Sequence, residues 1–128
     1  MFEETMLVRN DRVVRMRAIQ TTARDEWRAA IAVRGELDIA NADQLRAELA
    51  EHFAAGRRVI RVDVGAVEFM DSTALGVLVV ATEQFTAAHG SLILSNVPSR
   101  LRRLIELAGV DHVLLIDTAG ENAGTQLA

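Results

Sequence analysis

The chain contains neither cysteine nor lysine. Without cysteine there are no disulfides and no thiolate chemistry. Without lysine there is no ATP-binding loop of the Walker type, and all 14 basic residues are arginine. The three histidines, His52, His89 and His112, lie far apart in no metal-ligand spacing, so they are expected at the surface or at helix ends. No GxGxxG places the glycines for a dinucleotide, and no GxSxG surrounds a serine. The longest apolar run, Ala74 to Ala81, is too short to span a bilayer and contains Gly76. Near the N-terminus, Met6-Leu7-Val8 is too short for a signal peptide. These absences predict a cytoplasmic protein with no cofactor, no metal and no membrane contact.

The net charge of −4 argues against direct nucleic-acid binding, which favours a basic chain with a concentrated stripe. The densest basic cluster, Arg100, Arg102 and Arg103, alternates with Leu101, Leu104 and Ile105 at helical spacing and reads as a solvated helix face. At 128 residues, half hydrophobic and a quarter charged, the chain suits one globular domain. The Ala/Arg-rich, lysine-free usage points to a bacterium with a GC-rich genome.

Residues 1–12 read as a loose arm. Val13 to Ile19 alternates as a half-buried strand, and Gln20 to Trp27 reads as a polar hairpin connection. Trp27, the only tryptophan, is expected to pack over a sheet end rather than to anchor a partner. Ala29, Ile31 and Val33 form the inward face of a second strand, ending at Gly35-Glu36-Leu37-Asp38. Asn41 then precedes a helix and is expected to cap the Gln44 amide. Leu45, Leu49 and Phe53 mark that helix's buried side, and Gly56 ends it.

Val59 to Val64 is the third strand. A helix is predicted from about Thr73 to His89, apolar on more than one stripe and stopped by Gly90. Leu92-Ile93-Leu94 is a short buried strand. Pro98 and Ser99 open a helix ending at Gly109, and Val113 to Ile116 is the last strand. The tail, residues 118–128, has helical spacing in Ala119, Ala123 and Leu127, weakened by Gly120 and Gly124. The order ββαβαβα plus a strand implies an α/β fold. A mixed sheet joins an N-terminal hairpin to parallel strands, with right-handed helical crossovers packed on it over residues 13–117.

The turn between the third strand and its helix concentrates the chemistry. Ser72 sits where a small hydroxyl meets the positive end of a helix dipole, near the surface. Asp63, Glu68 and Asp71 flank the turn, and Asp38 lies on another loop. An acid/base pair or a Mg²⁺ site is conceivable there, but Asp71 is better explained as a helix cap. A Ser-His hydrolase is disfavoured. His89 lies roughly 25 Å along the same helix at 1.5 Å per residue, although His52 and His112 are not excluded by that arithmetic.

Three segments in order, Gly35-Glu36-Leu37-Asp38, Phe69-Met70-Asp71-Ser72-Thr73-Ala74-Leu75-Gly76 and Leu107-Ala108-Gly109-Val110, closely resemble the STAS domain, nearest its bacterial anti-sigma factor antagonists. The resemblance implies a regulatory binding protein that is not itself an enzyme. Its partner would be an anti-sigma factor with serine kinase activity, which lets go of its sigma factor on binding. The kinase would phosphorylate Ser72, and a serine phosphatase would reverse this. The resemblance also implies a docking face of Asp38, Ile39, Ala40 and Asn41 with Asp71, Ser72, Thr73, Ala74 and Leu75. Two departures stand out: Ala74 where the family often has Gly, and Thr73 where it often has Ser. Alternatives on the same fold are the STAS subunit of a lipid-transport ABC system and a scaffold in a signalling complex, neither needing a phosphoswitch.

Overall fold

The structure, a computed structural model, describes residues 18–117. The arm over 1–12, most of the strand expected from Val13 and the helical tail over 118–128 lie outside the described residues. Five strands line up in the order β1-β2-β3-β4-β5. β1 (Ile19–Arg24) and β2 (Arg28–Leu37) form an antiparallel hairpin, and each later strand adds in parallel. Between them run α1 (Ala42–Ala54), β3 (Val59–Met70), α2 (Ser72–Ala87), β4 (Ser91–Ser95), α3 (Ser99–Leu107) and β5 (Leu115–Asp117). Every crossover advances in the same direction, so right-handed connections put all three helices on one face. Ile31, Val33, Ile60, Val62, Val64, Leu92 and Leu94 meet Leu45, Leu78, Phe85 and Ile105 there, all buried. On that side Phe85 meets Phe53 edge-on, with centroids 5.0 Å apart.

Several boundaries differ from the periodicity reading. Gln20 to Arg24 is strand, not connection. An edge strand tolerates polar positions, and Thr21 and Thr22 suit a pleated, half-exposed surface. The hairpin turn is Asp25 to Trp27. Asp25 Oδ1 accepts the amides of Trp27 and Arg28 at 2.9 and 2.8 Å, an Asx turn. The Arg28 guanidinium and these amides hold the Asp25 carboxyl down at about 2. Trp27 does not pack over the sheet; it is 67% exposed at the hairpin tip.

β3 runs six residues beyond Val64, to Met70. Its pairing with β2 shifts register between Ala32 and Arg34 and again between Gly35 and Glu36. Extra residues at such bulges break the two-residue alternation, which is why periodicity stops at Val64. α2 begins at Ser72 rather than Thr73, and the left-handed residue that ends it is His89, at φ 67, rather than Gly90. The last strand is displaced from Val113–Ile116 to Leu115–Asp117. Val113 and Leu114 instead turn back onto the Val110 carbonyl, which puts Leu114 in the core.

Candidate functional site

Leu37 and Met70 are paired neighbours at the C-terminal ends of β2 and β3, so the loops that follow them emerge side by side. The Asp71 amide donates to the Leu37 carbonyl at 3.0 Å, which closes the end of the ladder. Asp71 is the N-cap of α2, as its carboxylate predicts. Oδ1 accepts the Ala74 amide at 2.9 Å, and Oδ2 accepts the Ile39 amide at 3.0 Å. One side chain therefore holds both loops of the site.

The first loop is knotted by its own polar groups. Asp38 Oδ1 accepts the Ala40 amide at 2.9 Å. Asn41 does not cap Gln44 with its side chain. Its Oδ1 accepts the Asp38 amide at 2.9 Å and its Nδ2 donates to the Glu36 carbonyl at 2.8 Å. The Asn41 amide group has both a donor and an acceptor, and closing the loop uses both. The Gln44 amide is left to the Asn41 carbonyl.

Ser72 occupies the first position of α2 and is exposed, as is Thr73. Ala74 and Leu75 turn inward and are buried, so of the segment 71–75 Ser72 and Thr73 face outward. Asp38, Ile39, Ala40 and Asn41 come together with them. Ile39 is 75% exposed, an aliphatic side chain presented by a loop that its neighbours hold rigid. Phe69, half exposed on β3 opposite Glu36, was not among the sequence-derived site residues. Its signal was an aromatic residue where the strand alternation fails. Glu36, Asp38, Glu68 and Asp71 belong to the same end of the sheet, where Arg100 lines a pocket with Glu68 and Phe69.

The histidines lie elsewhere. His52 takes the helix-end alternative, in the last turn of α1, and is buried there. Its Nδ1 lies 3.3 Å from Arg57 Nη1 and its Nε2 lies 2.9 Å from Thr21 Oγ1. A guanidinium only donates, so Nδ1 accepts and Nε2–H donates to Thr21. Thr21 passes its own hydrogen to Glu48. With both ring nitrogens committed, His52 serves structure. Among the described residues no group of His, Asp and Glu is arranged to hold a metal ion, and no helix is long and apolar enough to cross a membrane.

A family profile described as "Mlab, STAS domain" matches residues 21–117. The chain belongs to the STAS domain family. Its relatives include an "Anti-sigma-B factor antagonist" of Listeria monocytogenes, 32% identical over 108 residues, covering 84% of this chain and 95% of that one. The anti-sigma-B factor antagonist of Staphylococcus aureus is 30% identical over 103 residues, 80% of this chain and 94% of that one. Among solved structures, an anti-sigma factor antagonist from Mycobacterium paratuberculosis superposes with a TM-score of 0.70 at 23% identity, covering 84% of this chain and 91% of that one. The Bacillus protein SpoIIAA in its phosphorylated form gives 0.64 at 24% identity, covering 87% and 100%. These two share the fold.

Proposed function

We propose that this protein is a cytoplasmic anti-sigma factor antagonist. Unphosphorylated, it binds an anti-sigma factor that is also a serine kinase, and a sigma factor is released. Phosphorylation of Ser72 by that kinase ends the interaction, and a serine phosphatase restores it. The protein is a substrate, not an enzyme. The observation that carries this reading is Ser72 itself, an exposed hydroxyl at the first position of α2, next to the Asp71 carboxylate and beside the exposed Ile39 loop. Docking residues are Asp38, Ile39, Ala40, Asn41, Ser72 and Thr73, with Asp71, Ala74 and Leu75 holding the surface from below.

The physics suits a switch read by the partner. A phosphoserine brings about −1.5 to −2 charge near neutral pH. The first-turn amides and dipole of α2 stabilise that charge locally, so the fold need not change. A partner carboxylate at about 4 Å would be repelled by on the order of 4 kcal/mol per unit-charge pair at an effective dielectric near 20. About 3–4 kcal/mol weakens binding by two to three decades.

The test is incubation with anti-sigma kinases from the same genome, ATP and Mg²⁺, read by intact mass. The wild type gains one phosphate and Ser72→Ala gains none while still binding the kinase. Undiminished phosphorylation of Ser72→Ala rules out this acceptor.

A further inference from the structure

Beyond Ser72, the outer side of α2 carries two residues that the fold does not explain. Gly76 lies one turn along from Ser72 and is exposed. A Cβ built on it meets nothing within 4 Å. Glycine inside a helix destabilises it relative to alanine, so the absent methyl is a loss with no internal packing to justify it. Val80, one turn further, is 64% exposed although it is β-branched and apolar. Both line an open groove between α1 and α2, with Leu49 and Ala50 on one wall and Thr73 and Val77 on the other. Thr73 belongs to both the groove and the Ser72 rim, so the two surfaces are continuous.

We propose that this groove is a second docking element, and that its occupant is an amphipathic helix of the anti-sigma partner that crosses α2 at Gly76. The inference rests on the function proposed above. Removing the Cβ at a crossing point lets two helix backbones approach closely, which a methyl group prevents. Val80 and the exposed Ala50 then pack against the apolar stripe of the incoming helix over a floor closed by the buried Leu49, while Ser72 meets the kinase active site one turn away. Affinity comes from the groove, and the phosphate vetoes it at the rim.

The experiment titrates the fluorescently labelled full chain with each purified anti-sigma kinase of the same genome. It compares wild type, Gly76→Ala, Gly76→Leu, Val80→Asp and Ser72→Asp, and a thermal melt of each reports folding. Gly76→Ala is expected to raise the Tm by about 3 °C and yet weaken binding about tenfold. Opposite signs for stability and affinity are not produced by a folding defect. Gly76→Leu and Val80→Asp are expected to weaken binding a hundredfold or more. If the groove variants bind like wild type while Ser72→Asp is weakened, the groove inference falls and the functional reading stands. If wild type binds none of the kinases, the functional reading fails and this occupant fails with it. Sedimentation of each variant covers the remaining case. A wild-type dimer that Gly76→Leu dissociates makes a second copy the occupant and overturns the proposal.

Discussion

The Asp71 carboxylate accepts the amide of Ile39 at 3.0 Å, across 32 residues of chain, while capping α2 through its other oxygen. A single group thus sets the height of the Ile39 loop relative to Ser72. Asp71→Ala removes both bonds. A lost cap costs about 1 kcal/mol and a lost amide bond about as much again. The expected loss in urea unfolding is therefore about 2 kcal/mol, with weaker kinase binding. Asp71→Asn keeps one acceptor oxygen and turns an NH₂ group toward one of the two amides, so about half the loss is expected. Equal stability of wild type and Asp71→Ala would show that neither bond matters.

Ser72 offers the contrasting case. Its side chain forms no hydrogen bond to another described residue, so neither Ser72→Ala nor Ser72→Asp removes an internal contact. Both variants are expected within about 0.5 kcal/mol of wild type by urea unfolding, the usual range for an exposed site. Ser72→Asp adds charge near the helix dipole and belongs at the stable end of that range. Kinase binding should separate them sharply: retained in Ser72→Ala, weakened in Ser72→Asp. A Ser72→Asp protein that binds fully would leave charge out of the mechanism.

Much of this arrangement is legible in the chain. The change of period from strand to helix locates the Ser72 turn. The runs around Ile31, Ile60 and Leu92 mark strands buried on one face, and their separation by helices requires the parallel sheet. What was not legible has specific causes. The two register shifts between β2 and β3 hide half of β3, because alternation cannot be followed across an extra residue. Asn41 looks like a cap in sequence, but a side chain with two hydrogen-bonding ends has competing uses, and the loop takes both. The Asp71 to Ile39 bond joins segments far apart in the chain, and no local pattern announces it.

His52 makes stability depend on pH. Burial lowers its pKa from the ordinary 6.5, and Arg57 and Arg24 push the same way, while Glu48 and Glu51 oppose them. The unfolded chain therefore takes up a proton at a higher pH than the folded one. Stability is complete above about 6.5 and declines as pH falls below it. Asp25, held at about 2, titrates far below this range. Protonation would also place an N–H opposite the Arg57 guanidinium. Urea midpoints between pH 5 and 8 are expected to fall toward acid in the wild type and to flatten in His52→Gln. An identical slope in both proteins would locate the effect elsewhere.

Gly90 and His89 make a paired test of how α2 ends. His89 holds the left-handed conformation at φ 67, and the Gly90 amide reaches back to the Phe85 carbonyl at 2.7 Å, a Schellman-type closure. Gly90 is required for space. A Cβ there lies 2.1 Å from the Arg58 carbonyl oxygen and 2.9 Å from its carbon, both backbone atoms just before β3. That same oxygen accepts the Ser91 amide at 2.8 Å. Gly90→Ala must push α2 and β3 apart and strain the first bond of β4, with an expected loss of about 2–3 kcal/mol. His89→Gly relieves the left-handed strain and is expected to be neutral or to gain up to about 1 kcal/mol, because glycine's greater freedom in the unfolded chain offsets part of the relief. Exchanging the two, His89→Gly with Gly90→His, keeps composition constant but leaves the clash, so it should be destabilised like Gly90→Ala or more. Urea unfolding of the three variants reads the difference, and a swapped protein as stable as wild type would mean that the Arg58 contact yields freely.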